Sequence, residues 1–322
     1  MANSVLKSEI LFLYETSYNI PNGDPFTGEQ RYDEETKQIL VSDVRIKRFI
    51  RTYFEDIKNF PIYVSEKTGA GKTDAKGVLA WIAEKRNTEN KTDIGEILKE
   101  QIDVRLFGGI STLSDDDLKK IKVNNNPCTN GHVQFTGPVQ FALLNPSLNR
   151  VNMRMHQNTT HFTSKAEKTQ GSIGTTTVVP YSVMQIHGWV SARVAETTGM
   201  TEGDLTNMFE ALWYGTSGEG SSHSRSKIGQ DAILLLNIVY SEENKKIYGI
   251  DRLIKLEPKP GKREEDIRNF DDYELNFSQL HEKVKSEKVK EIRYYTELDI
   301  IKKKLEDDPV TKEKLVSIEF NK

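Results

Sequence analysis

The fold is decided by QDAILLLNIVYS, residues 230–241, an apolar run that polar residues bound on both sides. A run of this length and composition is typical of a buried strand. Three further segments show alternating or short, bounded apolar runs of the same kind. They are SEILFLYE (8–15), HVQFTGPVQFALL (132–144) and YSVMQIHGWVSA (181–192). The sequence therefore predicts four strands.

Two amphipathic helices are predicted between these strands. The first opens at Ser42, a residue type that caps helix N-termini well. Its apolar stripe consists of Ile46, Phe49, Ile50, Tyr53 and Ile57. The second helix starts near Asp204, and Gly215 is predicted to be its C-cap. Its apolar face consists of Leu205, Met208, Phe209, Leu212 and Trp213.

In chain order these elements make β-α-β-β-α-β, an α+β arrangement of the ferredoxin-like or RRM type. Three long interruptions are predicted in this core, at residues 16–41, 58–130 and 147–180. The lysine- and glutamate-rich residues after 241 are predicted to be a solvated, partly helical accessory surface.

Composition narrows the class of protein. The chain has 322 residues, 36% of them apolar and 29% charged, which is the profile of a soluble globular protein. The N-terminus is not a secretion signal, so an intracellular, cytoplasmic location is expected. A single cysteine, Cys128, excludes a disulfide framework, and six scattered histidines predict no metal site and no cofactor. The net charge of −3 argues against a protein that coats nucleic acid over its whole surface, so any nucleic-acid contact is expected in a local basic groove.

The stretch KTGAGKT, residues 67–73, resembles a phosphate-binding P-loop at its end. That pattern requires a glycine, four free positions and then Gly-Lys-Thr, and Glu66 stands where the first glycine belongs. A carboxylate at the mouth of the loop would repel phosphate, so an exposed loop is the favoured interpretation.

The first helix carries an almost purely positive face. Its cations are Arg45, Lys47, Arg48 and Arg51. They are predicted to lie opposite the apolar stripe, near a helix N-terminus that also favours anions. Because no strand contains the RNP1 pattern of RRM domains, RNA would have to bind through such helix ends, loops and insertions.

Two loops contain further candidate contacts. In NIPNGDPFTGEQRYD (19–33), Asn22 lies in a turn-rich loop, Gly23 lets backbone amides approach a phosphate, and Arg31 follows. The loop GTSGEGSSHSRSKIGQ (215–230) combines glycines and hydroxyls with cations. Its candidate contacts are Ser224, Arg225 and Lys227. Ordinary turn or linker chemistry remains the alternative for both.

Residues 147–180 are predicted to form a long basic β-hairpin. Its candidate RNA-binding residues are Arg150, Arg154, His156 and His161. Its predicted apolar tip, suited to displacing a base, consists of Met153, Met155 and Phe162. The two histidines could also serve as acid and base in RNA cleavage, although no nucleophile is evident beside them.

An ordered set of motifs resembles one family, the guide-RNA-binding backbone subunit of type I CRISPR interference (Cascade) complexes in the RAMP superfamily. The subtype I-B form looks nearest. The motifs are NGDP (22–25), VSDVRIKRFIR (41–51), RLFGG (105–109), GHVQFTGPVQFA (131–142), TGMTEGDL (198–205) and SRSKIGQDAILLL (224–236).

The resemblance implies an RRM-like palm, a helical finger insertion, a thumb hairpin that displaces guide bases, and no catalysis. The corresponding ranges are 1–57, 131–146 and 181–241 for the palm, 58–130 for the finger, 147–180 for the thumb and 242–322 for an accessory segment. The implied partners are CRISPR RNA, target DNA in the assembled complex, further copies of the chain in a helical filament, and other complex subunits, with no membrane. By position, Ser42, Lys47, Arg48 and Arg51 match the family's RNA-contacting helix.

Two enzyme hypotheses stay open beside this one. A metal-independent, RNA-processing endonuclease of the same superfamily would use His156 or His161, and a P-loop NTPase would use Lys72.

Overall fold

The computed structural model describes residues 5–65, 74–85, 89–159, 173–218 and 227–320. Its strands are β1 (Ser8–Asn19), β2 (Tyr32–Asp33), β3 (Gln38–Ser42), β4 (Gly108–Thr112), β5 (Lys122–Val123), β6 (Asn126–Pro127), β7 (His132–Thr136), β8 (Val139–Phe141), β9 (Leu144–Arg150), β10 (Arg154–Thr159), β11 (Ile173–Val190), β12 (Gln230–Tyr240), β13 (Lys255–Pro258), β14 (Tyr273–Asn276), β15 (Val289–Tyr295) and β16 (Leu315–Ser317). Its helices are α1 (Asp43–Asp56), α2 (Ala75–Lys85), α3 (Ile94–Lys99), α4 (Ile102–Phe107), α5 (Asp115–Lys120), α6 (Ala192–Thr198), α7 (Glu202–Ser217), α8 (Ser278–Val284), α9 (Asp299–Glu306) and α10 (Pro309–Lys314).

One large, mostly antiparallel sheet organises this mixed α/β fold. Its strand order is β16-β15-β12-β1-β11-β9-β3-β2, and β8 and β10 also pair with β11. β1 lies at the centre, antiparallel to both β11 and β12. The parallel pair is β15 with β16.

Both faces of β1 are buried, so its sequence is apolar without alternation. Phe12 and Tyr14 point into a first core, which α1 and α7 cover. Leu11 and Leu13 point into a second core on the opposite face. The central strand therefore needs a covering layer on each side.

The structure confirms that Ser42 caps α1, because its hydroxyl accepts the N–H of Arg45 at 3.4 Å. Ile57, predicted on the apolar stripe, is the partly exposed C-cap of this helix. The prediction that Gly215 ends the second helix is wrong, because α7 continues to Ser217. A Cβ at Gly215 would lie 3.0 Å from the carbonyl oxygen of Phe49, so this glycine lets α1 and α7 approach closely.

The prediction of one strand over 132–144 is also wrong. β7 pairs with β4 in a separate two-stranded sheet, whereas β8 and β9 join the large sheet. Gly137 and Pro138 separate β7 from β8, and proline offers no N–H to a strand ladder. β4, β7 and helices α2–α5 surround a third core that contains Leu79 and Ile97.

β10 and β11 form an antiparallel pair in which Arg154 lies opposite Val178 and Thr159 opposite Ile173. β11 then continues into the large sheet, where it is the neighbour of β1. The long strand thus connects this hairpin to the centre of the fold.

The residues after 241 are not a solvated surface, contrary to the prediction. β15 adds to β12 as a strand of the large sheet, and Tyr273, Phe277 and Leu280 fill the second core. The Phe320 ring lies 4.3 Å from that of Tyr295, and both rings are partly buried against the first core. The charged residues lie between these apolar positions, which is why composition alone suggested a solvated segment.

In the described part of the chain, no helix combines the length and apolar character needed to cross a membrane.

Candidate nucleic-acid interface

Three segments far apart in sequence meet at one end of β1. The side-chain oxygen of Asn22 accepts the N–H of Ser42 at 2.7 Å, which ties the loop after β1 to the start of α1. The ammonium of Lys227 donates to the carbonyl of Ile20, which ties the residues before β12 to the same loop. Asn22 and Ser42 are therefore engaged in holding the backbone at this place.

Arg45 lies in the middle of this junction and is largely buried. Its guanidinium stacks on the Phe49 ring at 3.9 Å from the centroid. Its Nε and Nη2 atoms are buried and have no hydrogen-bond partner among the described residues. Burial, opposed by Tyr14 and reinforced by the charge of Arg48, lowers the pKa of Arg45 to about 10, so the guanidinium stays charged at neutral pH. Buried donors without partners are costly and mark places where a ligand can supply acceptors.

Lys227 is the second cation of the junction. Burial, and then the neighbouring charge of Arg45, lowers the pKa of Lys227 to about 8. Among the described residues, no carboxylate forms an ion pair with Arg45 or Lys227. We call Arg45, Arg48 and Lys227 the cation cluster. Arg45 and Lys227 are like charges with no carboxylate paired to them in the described part of the chain, and such a pair favours an anion in the same space.

Tyr14 completes the buried wall of the cluster and was missed in the sequence analysis, which placed it only in a strand. Its hydroxyl is buried without a partner in the described chain, and its ring meets that of Phe49 edge-on at 6.5 Å. Burial raises the pKa of Tyr14, so the hydroxyl stays protonated as a donor. A hydroxyl inside an otherwise apolar strand was the available signal, because buried hydroxyls need partners.

The four cations of α1 do not form one exposed face, and this part of the prediction is wrong. Arg45 is buried because the loop after β1 and the residue Lys227 cover the start of the helix. Lys47 pairs with Asp43 at 3.0 Å, and Arg51 pairs with the buried Asp103 at 2.9 Å. Arg48 is exposed. The helix therefore carries one buried guanidinium, Arg45, and one exposed guanidinium, Arg48, while Lys47 and Arg51 pair with acids of the fold.

The ion pair between Arg51 and Asp103 has a structural role. The Asp103 carboxylate also accepts the N–H groups of Tyr63 at 2.7 Å and Val64 at 3.1 Å. Arg51 thus anchors α1 to the chain that leads into the third core. This arrangement gives Arg51 a structural role that the sequence did not reveal.

The loop after β1 is shaped by Asp24. Its carboxylate accepts the N–H of Phe26 at 2.9 Å and pairs with Arg31 at 3.1 Å. The hydrogen bonds from the N–H groups of Phe26 and Thr27, followed by the charge of Arg31, lower the pKa of Asp24. Gly23 forms an isolated bridge with Gln30, which closes the loop. Arg31 is consequently held within the loop by an acid.

The predicted hairpin residues fall into two groups. Arg154, Met155 and His156 are exposed on β10. Met153 packs against the first core and Arg150 contacts Glu264, so both lie at the hairpin's base. The assignment of Met153 to the apolar tip is therefore wrong.

Several predicted positions lie outside the described residues. They are His161 and Phe162 of the hairpin, Ser224 and Arg225 of the loop before β12, and residues 67–73. Within the described ranges, no group of three or more histidine, cysteine, aspartate or glutamate side chains could hold a metal ion.

Fold and site define a class, namely mixed α/β proteins that carry a cation cluster where loops meet the end of a large sheet. Residues 6–278 match the family model described as CRISPR-associated protein Cas7. A Haloferax volcanii protein named CRISPR-associated protein Cas7 is 30% identical over 265 residues, which cover 78% of this chain and 75% of that protein. The chain belongs to the Cas7 family.

Solved structures of CRISPR complexes also resemble the chain. A chain of a CRISPR RNA-guided surveillance complex aligns with a TM-score of 0.49 at 12% identity, covering 91% of this chain and 90% of that one. A chain of the type III-B Cmr-beta complex bound to cognate target RNA aligns with a TM-score of 0.40 at 9% identity, covering 73% and 61%.

Proposed function

We propose that the protein is a non-catalytic subunit that binds CRISPR RNA and polymerises along it as the helical backbone of a type I interference complex. In this role it presents the guide for pairing with target DNA, beside other subunits of the complex. Membership of the Cas7 family supports the proposal, and the ordered motifs favour subtype I-B. The single cysteine, Cys128, is buried and fits a reducing compartment, which supports a cytoplasmic location.

The observation that carries the proposal is the cation cluster. A phosphodiester would supply acceptors to Nε and Nη2 of Arg45, which have no hydrogen-bond partner within the described ranges, and a counter-charge to Lys227. Contacts of this kind address phosphate and sugar, so binding is expected to be independent of base sequence. Asn22, Gly23 and Ser42 position the cluster, and Arg48 and Arg154 extend it as exposed cations. Ser224 and Arg225, which precede Lys227, are proposed as further contacts.

The proposed domain division follows the sheet. The succession β12, β1, β11 and then β8 is the strand order of a ferredoxin-like fold, which supports the assignment of a palm. The part around the third core is proposed as the finger, and the β10–β11 pair as the arms of the thumb. Residues 242–322 are proposed as an integral part of the palm.

Assembly on RNA tests this function. Wild-type protein is expected to bind unstructured RNA, to form particles that lengthen with the RNA, and to protect evenly spaced segments from nuclease. Regular spacing is expected because each added copy occupies a fixed number of nucleotides. Footprinting and gel filtration on RNAs of several lengths measure it.

Two outcomes would contradict the proposal. Absence of RNA binding would remove it altogether. Metal-independent cleavage of repeat RNA that disappears in a His156→Ala, His161→Ala double variant would favour the endonuclease alternative instead.

The lowered pKa of Lys227 predicts a pH-dependent affinity. Lys227 loses its proton above about pH 8 in the free protein, and a bound phosphate would raise this pKa. The affinity for RNA is therefore highest well below pH 8, where Lys227 is protonated, and it falls as the pH rises through 8, by roughly tenfold between pH 7 and pH 9. Oligoadenylate is the suitable probe because adenine does not titrate in this range, and fluorescence anisotropy measures the affinity.

Lys227→Arg is the matched control. An arginine keeps its charge over the same range, so the variant should bind with a nearly flat pH profile. A wild-type profile that stays flat, or a variant that retains the full pH dependence, would show that Lys227 does not contact the RNA.

A further inference from the structure

Tyr18 has an unusual backbone conformation near the cation cluster. Its φ angle is 48°, in the left-handed region, and its side chain is 66% exposed. Among the described residues, the other non-glycine positions with positive φ are five asparagines and Lys37. Asparagine tolerates this region, whereas an aromatic residue there is uncommon and strained.

The neighbours of Tyr18 hold this conformation. The N–H of Ser17 donates to the carbonyl of Gly229 at 2.9 Å. The side chain of Asn19 donates to the carbonyl of Ile228 at 2.7 Å and to that of Gly229 at 3.0 Å. Residues on both sides of Tyr18 are thus bound to the segment that follows Lys227.

The opposite strand also leaves Tyr18 outside the regular ladder. Ser17 pairs with Tyr181 and Asn19 with Val179, so Tyr18 faces Pro180, which has no N–H to donate. A strained residue that persists because its surroundings determine it is a reason to look for function.

The hydrogen bonds beside Tyr18 connect its strand end to a second exposed apolar residue and to the cation cluster. Ile228 is 64% exposed, and its carbonyl is bound by Asn19, the residue after Tyr18. Lys227 immediately precedes Ile228, and Arg45 acts electrostatically on Lys227. We call Tyr18 and Ile228 the Tyr18 platform. An exposed aromatic joined in this way to Arg45 and Lys227, which form no ion pair with the described residues, offers both contacts that a nucleotide needs, a π-face for the base and positive charge for the phosphate.

We propose that Tyr18 stacks on a base of the bound single-stranded nucleic acid, while Arg45 and Lys227 hold its phosphate. This inference rests on the proposed RNA-binding function and adds a base contact to it. Stacking tolerates any base, so it is compatible with sequence-independent binding. The charges beside the platform favour a nucleic acid over an apolar protein surface.

Tyr18→Gly is the decisive variant because glycine accepts positive φ without strain and removes only the ring. Folding should therefore be retained, as thermal unfolding will show. Affinity for a short oligoadenylate should fall by roughly five- to a hundredfold, the range measured when single stacking aromatics are removed. Tyr18→Trp should keep most of the affinity.

A ribose-phosphate oligomer of equal length without bases is the second probe. Wild type and Tyr18→Gly should bind it equally, because the cation cluster remains and no base is present to stack. Tyr248→Ala is the matched protein control. Tyr248 is also exposed and lies beside an arginine, Arg252, but follows Tyr240 at the opposite end of β12 from Gln230. This control should leave both affinities unchanged.

The outcomes separate this inference from the proposed function. If wild type binds neither probe, the RNA-binding function fails. If wild type binds oligoadenylate and Tyr18→Gly binds it equally well, or loses affinity for both probes alike, base stacking is wrong. If Tyr18→Gly impairs only the association of copies on long RNA, the platform contacts protein and the inference is overturned.

Discussion

A chain that ends at Ser241 is expected to be insoluble and to show no cooperative unfolding. Nine buried side chains of the second core, in the described chain, belong to β1, β11 and β12, and the residues after 241 cover them. Exposing a large apolar side chain costs about 1.5–3 kcal/mol. The sum exceeds about 10 kcal/mol, which is as large as the stability of a whole domain. Soluble yield, gel filtration and thermal unfolding measure the result.

Polar contacts add to the effect of this truncation. The hydroxyl of Tyr181 lies 3.3 Å from that of Tyr273, and the hydroxyl of Tyr240 donates to Glu9 at 2.8 Å beneath the same layer. Removing the residues after 241 would take Tyr273 away from the Tyr181 hydroxyl and would open the Tyr240–Glu9 hydrogen bond to water. Co-expression of residues 242–322 as a separate chain should restore solubility, since the second core could then reform. A monomeric 1–241 fragment that melts cooperatively would show that the segment is an accessory after all.

Gly137→Ala is expected to destabilise the protein by about 3 kcal/mol, as substitutions that overpack a rigid site do. A Cβ at Gly137 would overlap the Cα, carbonyl carbon and carbonyl oxygen of Phe107, all of them backbone atoms. A side chain could turn away, but two backbones in contact must separate. Gly108 lies at the same crossing, where its own Cβ would come 2.6 Å from the nitrogen of Gly137. The melting temperature should fall by roughly 4–5 °C.

Gly203→Ala is the matched control. The nearest atom to a Cβ at Gly203 is the hydroxyl oxygen of Thr201 at 3.6 Å, an ordinary contact, and the position is helical. Alanine favours helix over glycine by up to about 1 kcal/mol, so this variant should melt at or above the wild-type temperature. Equal melting temperatures for Gly137→Ala and wild type would mean that the backbones at Gly137 and Phe107 can separate at little cost in stability.

Local patterns predicted the parts of the fold that depend on local physics. The cap at Ser42 depends on one hydroxyl and the N–H of Arg45, so the sequence contains the information. The end of α7 could not be predicted in this way, because Gly215 serves a contact with α1 rather than a helix terminus. The sequence contains Gly137 and Pro138, which can interrupt a strand. The contact that requires a glycine there, with the backbone of Phe107, is not encoded nearby in the sequence.

The second core was the main omission, although β1 contained a signal for it. An apolar run without alternation requires burial on both faces, and the two predicted helices cover one. The covering residues are separated by lysines and glutamates in short elements, as in VKEIRYY of β15, so no long periodic pattern marks them.

In the candidate site, too, some features could be predicted from the sequence and others depend on the tertiary structure. Arg45 and Lys227 were predicted from residue type and position. The burial of Arg45, the lowered pKa of Lys227 and the role of Tyr14 depend on three segments meeting in space, which no local pattern encodes.

The large sheet ends in very short strands, β2 with two residues and β16 with three. An outermost strand of that length presents few free N–H and C=O groups, so a neighbouring molecule gains little by adding its own strand there. In the proposed filament, many copies crowded onto one RNA would otherwise risk fusing into continuous, amyloid-like ribbons. Short outermost strands would limit such pairing at the high local concentration of the proposed filament, and would leave association between copies to other surfaces.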